Sequence, residues 1–229
     1  MEMETLREKY AAVFRILNET YGRPQWEMHG PPLDELVGTI LSQATADLNT
    51  ERAYAALTAR FPDWESVMNA PPEEVIDTIR SAGLANMKGP RIQAALRHIY
   101  QERGELSLDF LGDMPLEEAM AWMTQIDGIG PKTASIVLLF SFGRAAFPVD
   151  THVHRVTGRL GLIPPRMNAN QAHDFLAALG EPETYYPLHI NLIRHGREIC
   201  RARSPQCVVC PLQDYCVYYR SVVLRAADA

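Results

Sequence analysis

Hydrophobic residues recur at spacings of three and four along most of the chain, as they do on one face of an α-helix. Sustained alternation of apolar and polar residues, which would indicate strands, is absent from the sequence. Proline and glycine separate the apolar stretches, so the predicted helices are short and joined by tight turns. The pattern predicts an all-α protein with helical stretches at 6–17, 33–41, 53–61, 92–100, 116–123, 133–142, 153–160, 172–179 and 188–199.

Composition narrows the class of protein. The chain has 229 residues, of which 47% are hydrophobic and 22% are charged, so a disordered or fibrous protein is excluded. The longest strongly apolar run, 134–142, is far shorter than the ~20 residues of a membrane span. The first residues lack the basic and apolar regions of a signal peptide. We therefore expect a cytoplasmic protein, associated with the nucleoid if the source is a prokaryote, with no membrane partner.

Charge is distributed unevenly along the sequence. The net charge is −6, from 22 Lys and Arg against 28 Asp and Glu. The segment 104–127 carries six acids and no Lys or Arg, so the rest of the chain sums to zero. The segments 144–159 and 194–203 carry +2 and +3. This pattern has two interpretations, a solvated acidic face or a polarised molecule whose basic surface meets a polyanion.

All four cysteines fall within 17 residues, in the spacing C-x6-C-x2-C-x5-C. Four thiolates at short spacing suit an iron–sulfur cluster or a tetrahedral zinc ion. Zinc ribbons usually pair two C-x2-C turns and only one is present, which favours iron–sulfur over zinc. Four unrelated buried thiols are the remaining alternative. The four candidate ligands are Cys200, Cys207, Cys210 and Cys216.

The sequence Gly128-Ile-Gly130-Pro-Lys132 lies between two predicted helices. Its glycines permit a tight turn, and the N–H groups that open the next helix form a site suited to phosphate. The alternative is a helix–helix turn that binds nothing. Lys132 opens an apolar helix, where the helix dipole and partial burial lower the pKa of an amine. It is either a nucleophile toward a sugar carbon or a surface lysine that touches phosphate.

Two further polar residues sit at predicted helix ends. Asp150 precedes a helix, so it is an N-cap, a carboxylate that stabilises positive charge and moves protons, or both. Gln43 ends the apolar helix at 33–41, where most glutamines cap the helix or face solvent.

Taken in order, these motifs resemble the endonuclease III family of helix–hairpin–helix DNA glycosylases, which carry a [4Fe-4S] cluster. The matching motifs are Leu-Ser-Gln43-Ala-Thr, Gly-x-Gly-x-Lys132, Val-Asp150-Thr-His-x-x-Arg155 and His195-Gly-Arg followed by the cysteines. The resemblance implies two all-α lobes flanking a DNA-binding cleft. The six-helix domain with the helix–hairpin–helix would be 24–144, and the iron–sulfur cluster domain would be 1–23 plus 145–229.

The resemblance also implies an activity, that of a bifunctional DNA glycosylase/AP lyase of base excision repair. The expected partner is double-stranded DNA with damaged bases or abasic sites, bound by a monomer. Lys132 would attack C1′ of an oxidised pyrimidine nucleotide and form a Schiff base, with Asp150 as the second catalytic residue. The implied DNA contacts are Gln43, which would fill the hole left by the flipped base, Leu84, which would wedge into the opposite strand, and Gly128, Gly130, Arg155, Arg194, Arg197, Arg201 and Arg203.

The chain departs from the family pattern at two positions. Asp127 stands where the hairpin usually has proline, and Ala85 stands where a large aromatic often follows Leu84, which leaves the lesion range open. Lys132, together with glycine at position 38, disfavours the adenine-mismatch and thymine-mismatch branches. Two other functions remain open, a monofunctional glycosylase that uses Asp150 and water, and a non-catalytic iron–sulfur module that binds DNA.

Overall fold

A computed structural model describes residues 3–224 of the chain, and every regular element in that range is helical. The all-α prediction is therefore confirmed. The chain divides into two compact units. The terminal unit comprises Met1–Glu27 and Ala145–Ala229, and the central unit comprises Met28–Arg144.

Eleven α-helices lie within the described residues, joined by short turns and 3₁₀ segments. They are α1 (Met3–Tyr21), α2 (Pro32–Ser42), α3 (Asp47–Arg60), α4 (Trp64–Asn69), α5 (Pro72–Thr78), α6 (Ala85–Arg103), α7 (Leu116–Thr124), α8 (Pro131–Phe142), α9 (Thr151–Leu160), α10 (Ala169–Ala177) and α11 (Tyr185–Glu198). None of them is both long and apolar enough to cross a membrane.

The central unit is built around α2 and α8, which pack against each other. Leu36 and Ile40 of α2 and Val137 and Leu138 of α8 are fully buried. Because α8 is apolar on nearly all sides, it forms the middle of this core. The long helix α6 packs against α4 and α5 and also contacts α2. The N-terminus of α6 lies beside the end of α2, because Lys88 in its first turn donates a hydrogen bond to the carbonyl of Leu41.

The terminal unit joins the two ends of the described chain. Helix α11 packs against α1 from the N-terminal segment and against α9, and α10 contacts α9. The buried residues Val13 and Leu17 of α1 and Leu188 and Leu192 of α11 supply the apolar contact surface of these helices. The cysteine segment follows directly after α11, so this helix fixes where that segment begins.

Some helices begin earlier than the hydrophobic pattern predicts. Helix α10 begins at Ala169 instead of 172, because Asn168 and Gln171 form a reciprocal capping box before the apolar residues start. Helix α11 begins at Tyr185 instead of 188, with Pro187 in its first turn, where the missing N–H costs no hydrogen bond. The pattern marks the buried face of a helix, and the capping residues that precede that face decide the boundary.

Candidate functional site

The predicted hairpin joins α7 to α8 in the central unit. Gly128 adopts a left-handed backbone with φ of 78°, and Gly130 is the N-cap of α8. Ile129 between them is buried and anchors the turn in the core. No side chain caps the N-terminus of α8, and Lys132, half-buried, is the second residue of that helix. The lysine thus stands at the positive end of the helix dipole, as the sequence indicated.

Gly128 is required for a second reason besides its φ angle. A Cβ atom built on it would overlap the side chain of Arg91, with the guanidinium carbon only 2.8 Å away. Arg91 belongs to α6, and its Nη1 donates a hydrogen bond of 2.8 Å to Oε1 of Gln43. Gln43 is the C-cap of α2. One guanidinium therefore links the hairpin to the glutamine that was predicted to contact DNA.

Leu84 occupies an exposed corner of the central unit. It is the N-cap of α6 with φ of 49°, a left-handed conformation that is unusual for a residue other than glycine. Its side chain is 56% exposed although it is apolar. Ala85 and Asn86, which follow it, already belong to α6. An apolar side chain held at such a corner is suited to insertion between bases.

Two basic residues of α6 were missed by the sequence reasoning. Lys88 is fully buried, and its ammonium binds the chain segments that carry Gln43 and Leu84. A signal for it was available, because Lys88 precedes the buried Ile92 and Leu96 by four and eight residues and so falls on their face. For Arg91 no such signal exists, since its contacts are to residues 43 and 128, far away in sequence.

Asp150 belongs to the terminal unit and is the N-cap of α9. Its Oδ1 accepts a hydrogen bond of 2.7 Å from the backbone N–H of Val153. The side chain is half-buried. The capping role that the sequence offered is therefore present, and it uses one carboxylate oxygen. The second oxygen leaves acceptor capacity for a role in chemistry.

The five arginines predicted to contact DNA fall into two groups. Arg155 is half-buried, and its guanidinium donates to the carbonyls of Cys200, at 3.0 Å, and Gly196, at 2.9 Å. These hydrogen bonds connect α9 to the start of the cysteine segment. A contact of Arg155 with DNA stays a prediction. The other four are exposed, namely Arg194, Arg197, Arg201 and Arg203.

The four cysteines line a single cavity in the terminal unit, and none forms a disulfide. Arg159 Nη1 lies 3.3 Å from Cys200 Sγ, and His195 Nε2 lies 3.5 Å from Cys210 Sγ. An N–H donor such as that of Arg159 stabilises a thiolate ligand. Among the residues that the structure describes, no three Cys, His, Asp or Glu side chains are placed to share one metal ion. The cavity that the four sulfurs line is the candidate site for the metal group.

The protonation of these thiols points the same way. Burial raises the pKa of Cys210 to about 11, and burial together with the charges of the neighbouring thiols raises the pKa values of Cys207 and Cys216. Burial therefore disfavours the thiolate forms of these three cysteines unless a positive charge is bound beside them. Iron would supply that charge and displace the protons, so the cavity fits an iron–sulfur cluster chemically.

Comparison with known proteins agrees with this geometry. Residues 37–182 match the HhH-GPD superfamily of base excision DNA repair proteins, and residues 200–216 match the iron–sulfur binding domain of endonuclease III. Endonuclease III of Thermotoga maritima is 32% identical over 189 residues, which are 82% of this chain and 84% of that protein. The chain belongs to the endonuclease III family. The prediction of that family is confirmed, and with it a DNA glycosylase of base excision repair.

Further similarities support the membership. A protein of Arabidopsis thaliana that is named as a DNA glycosylase candidate is 38% identical over 168 residues. These residues are 73% of this chain and 57% of that protein. The fold resembles a solved structure of a trapped covalent intermediate between endonuclease III and DNA, with a TM-score of 0.80, 26% identity, and coverage of 96% and 98% of the two chains.

The cofactor prediction is also confirmed. The iron–sulfur domain match begins and ends at the outer cysteines, Cys200 and Cys216, and the endonuclease III family carries a [4Fe-4S] cluster. Cys200, Cys207, Cys210 and Cys216 would hold it. The roles of Lys132, Asp150 and the DNA-contact residues stay predictions, although the structure brings Gln43, Leu84 and the hairpin together in the central unit.

Proposed function

We propose that this endonuclease III family member is a bifunctional DNA glycosylase/AP lyase that removes oxidised pyrimidines from double-stranded DNA and nicks the strand by β-elimination. The observation that carries the proposal is Lys132. It lies in the first turn of α8, directly after the Gly128–Gly130 hairpin and inside the segment that matches the HhH-GPD superfamily. Lys132 could contact phosphate in a protein that only binds DNA, but such a protein does not need Lys132 together with Asp150.

The small number of lysines supports Lys132 as the nucleophile. The chain has three, Lys9, Lys88 and Lys132. Lys88 has no exposed surface and directs its ammonium at three acceptors inside the protein. The Nζ of Lys9 is bound to the carbonyl of Leu160 at the C-terminus of α9. Lys132 is the one lysine in the first turn of α8 after the hairpin, and this place makes it the candidate for the amine that meets a sugar.

The proposed reaction has two stages. The neutral amine of Lys132 attacks C1′ of the extruded nucleotide, the glycosidic bond breaks, and the damaged base leaves with a proton. The sugar ring opens to an iminium that links C1′ to Nζ. Loss of a C2′ proton then expels the 3′ phosphate, which cuts the strand by β-elimination. Water hydrolyses the imine and returns the free lysine.

Asp150 is the second catalytic residue that the resemblance to the endonuclease III family implies. Its charge stabilises the positive charge that develops on the sugar, and it accepts or returns protons between the two stages. The cap on α9 fixes one of its oxygens, which reduces the freedom of the side chain before the substrate binds.

The backbone of the hairpin, Gly128 to Gly130, grips phosphates without reading bases. Gln43 fills the space left by the extruded nucleotide and Leu84 separates the opposite strand. The chain acts as a monomer on DNA that contains a damaged base or an abasic site. Ala85, which is small, leaves room beside Leu84, and this room affects which lesions are accepted.

Reductive trapping tests the proposal. Sodium borohydride should join the wild-type chain covalently to a duplex that holds an abasic site, because it reduces the imine to a stable amine. Lys132→Ala should lose the trapped product. Lys9→Ala is the matched control, because Lys9 is the other lysine whose side chain is not fully enclosed. The control should trap like the wild type.

Other outcomes would select the alternatives. A Lys132→Ala variant that traps at full yield would refute the proposal. Base release from a lesion duplex without strand cleavage would indicate a monofunctional glycosylase that uses Asp150 and water. Tight binding of duplex DNA with no turnover on any oxidised pyrimidine would indicate a non-catalytic module.

A further inference from the structure

Lys88 is the one lysine whose side chain is completely enclosed, and the proposed chemistry does not use it. It lies on α6, one turn after Leu84. Its Nζ donates hydrogen bonds to the carbonyl of Leu41 at 2.6 Å, to Oγ1 of Thr45 at 2.6 Å and to the carbonyl of Ala82 at 2.9 Å. The three N–H donors of an ammonium thus have three acceptors, so the buried charge is fully hydrogen-bonded.

These acceptors belong to two separate segments, which we call the glutamine loop (41–45) and the leucine loop (82–84). Leu41 and Thr45 stand on either side of Gln43, and Ala82 lies two residues before Leu84. Thr45 Oγ1 also donates to the carbonyl of Ala82, which ties the loops together a second time. One ammonium therefore sits at the junction of the two loops whose side chains are proposed to enter the duplex.

Both loops hold a residue in a costly backbone conformation. Ala44 has φ of 52° and Leu84 has φ of 49°. Residues other than glycine rarely adopt this region, and they persist there only where the surroundings enforce it. The hydrogen bonds of Lys88 provide that enforcement on both loops. The cation also faces the C-terminus of α2, where the carbonyl of Leu41 would otherwise lack a partner and where the helix dipole favours positive charge.

We propose that Lys88 is a positioning residue for nucleotide extrusion, which holds the glutamine loop and the leucine loop in one register so that Gln43 and Leu84 enter the duplex together. This inference rests on the proposed function, since it assigns the two loops a task in that reaction. An apolar residue of similar length would fill the same space but would donate no hydrogen bond to either loop. An arginine would not replace Lys88, because its planar guanidinium does not match three acceptors arranged around a single ammonium nitrogen.

The test is Lys88→Met, which keeps the length and removes the donors. Two substrates separate positioning from general stability. A duplex with an oxidised pyrimidine requires extrusion, and 2-aminopurine beside the lesion reports extrusion by its fluorescence. A single-stranded abasic oligonucleotide requires none, and borohydride trapping reports the chemistry. We expect extrusion and base release in the duplex to slow about 10²-fold, with a far smaller change in single-strand trapping.

Matched variants keep the test decisive if Lys88→Met folds poorly. Thr45→Val is nearly isosteric, and it removes one acceptor of Lys88 and the donor to Ala82. It should lower duplex extrusion in the same direction with a smaller effect. Lys9→Met makes the same chemical change in the terminal unit and should alter neither assay. Thermal unfolding of each variant gives the folded fraction at the assay temperature.

Parallel loss in the duplex and single-strand assays, in proportion to the folded fraction, would overturn the inference, as would normal extrusion by a folded Lys88→Met.

A readout free of DNA chemistry separates this inference from the proposed function. The N–H group of Thr45 donates to the carbonyl of Ser42, and that of Gly83 donates to the carbonyl of Arg80. Their hydrogen exchange should become at least about tenfold faster in Lys88→Met than in the wild type if the ammonium holds the loops. Unchanged exchange would refute the inference even if the enzyme cuts DNA as proposed.

Discussion

At the scale of single residues, Asp150 caps α9 and has a proposed chemical task, and two substitutions separate the two roles. Asn is as good an N-cap as Asp, so Asp150→Asn should keep the hydrogen bond to Val153 and change the unfolding free energy by only a few tenths of a kcal/mol. Asp150→Ala should lose about 1 kcal/mol of stability. Because both variants lack the carboxylate, both should slow base release by about 10²–10⁴-fold.

The measurements are thermal unfolding and single-turnover base release on a duplex with an oxidised pyrimidine. Base release by Asp150→Asn at the wild-type rate would show that Asp150 is a cap alone.

Asp150 and Lys88 show which residue roles the sequence alone can predict and which it cannot. The cap of Asp150 is local, since donor and acceptor are three residues apart, and the sequence indicated it. The partners of Lys88 in the glutamine loop lie 43 and 47 residues away, and only the fold brings them together. Arg91 reaches Gln43 across 48 residues in the same way. Residues with proposed substrate contacts were therefore easier to name from the sequence than residues with proposed positioning roles.

At the scale of elements, the hairpin before α8 offers a pair of matched glycines. Gly128→Ala places a Cβ at a left-handed φ and against the Arg91 side chain, so it should cost about 1–2 kcal/mol of stability. Gly130 has φ of −96° and open space around its Cβ position. Gly130→Ala should therefore lose less stability, and it should weaken duplex binding if the hairpin backbone approaches phosphate closely.

Chemical denaturation and duplex-binding isotherms measure both effects. Equal stability of the two variants would contradict the role given to Arg91 and to the left-handed turn.

The sequence predicts the helices themselves better than it predicts the residues at which they begin and end. The apolar spacing predicted α2, α8 and α9 because each of these helices buries a stripe or most of its surface in the core of its own unit. It placed the start of α6 too late, since the first turn of that helix carries the exposed Met87 and the buried Lys88. Polar hydrogen bonds define that turn, and a pattern of hydrophobic residues contains no information about them.

At the scale of the whole molecule, the net charge of −6 misrepresents how the protein meets a polyanion. All six acids of the segment 104–127 are exposed, and so are Arg201 and Arg203 at the start of the cysteine segment. If these two arginines contact phosphates, the double variant Arg201→Glu/Arg203→Glu should bind duplex DNA more weakly at low salt. The slope of log affinity against log salt should then fall by about 1 for each lost contact.

The matched control is Arg7→Glu/Arg15→Glu, which makes the same change of charge on exposed arginines of α1. Its slope should stay closer to that of the wild type. Identical slopes for the two double variants would show that Arg201 and Arg203 act only through the overall charge of the protein. That result would contradict a local contact with phosphate.

The central claim, that Lys132 is the amine which attacks the sugar, is tested most directly by mapping the adduct. The wild-type chain is trapped with borohydride on an abasic duplex, digested, and the modified peptide is identified by mass spectrometry. With three lysines in the chain, the assignment is unambiguous. The account predicts a single modified residue, Lys132. An adduct on Lys9 or on the α-amine, with Lys132 unmodified, would contradict it.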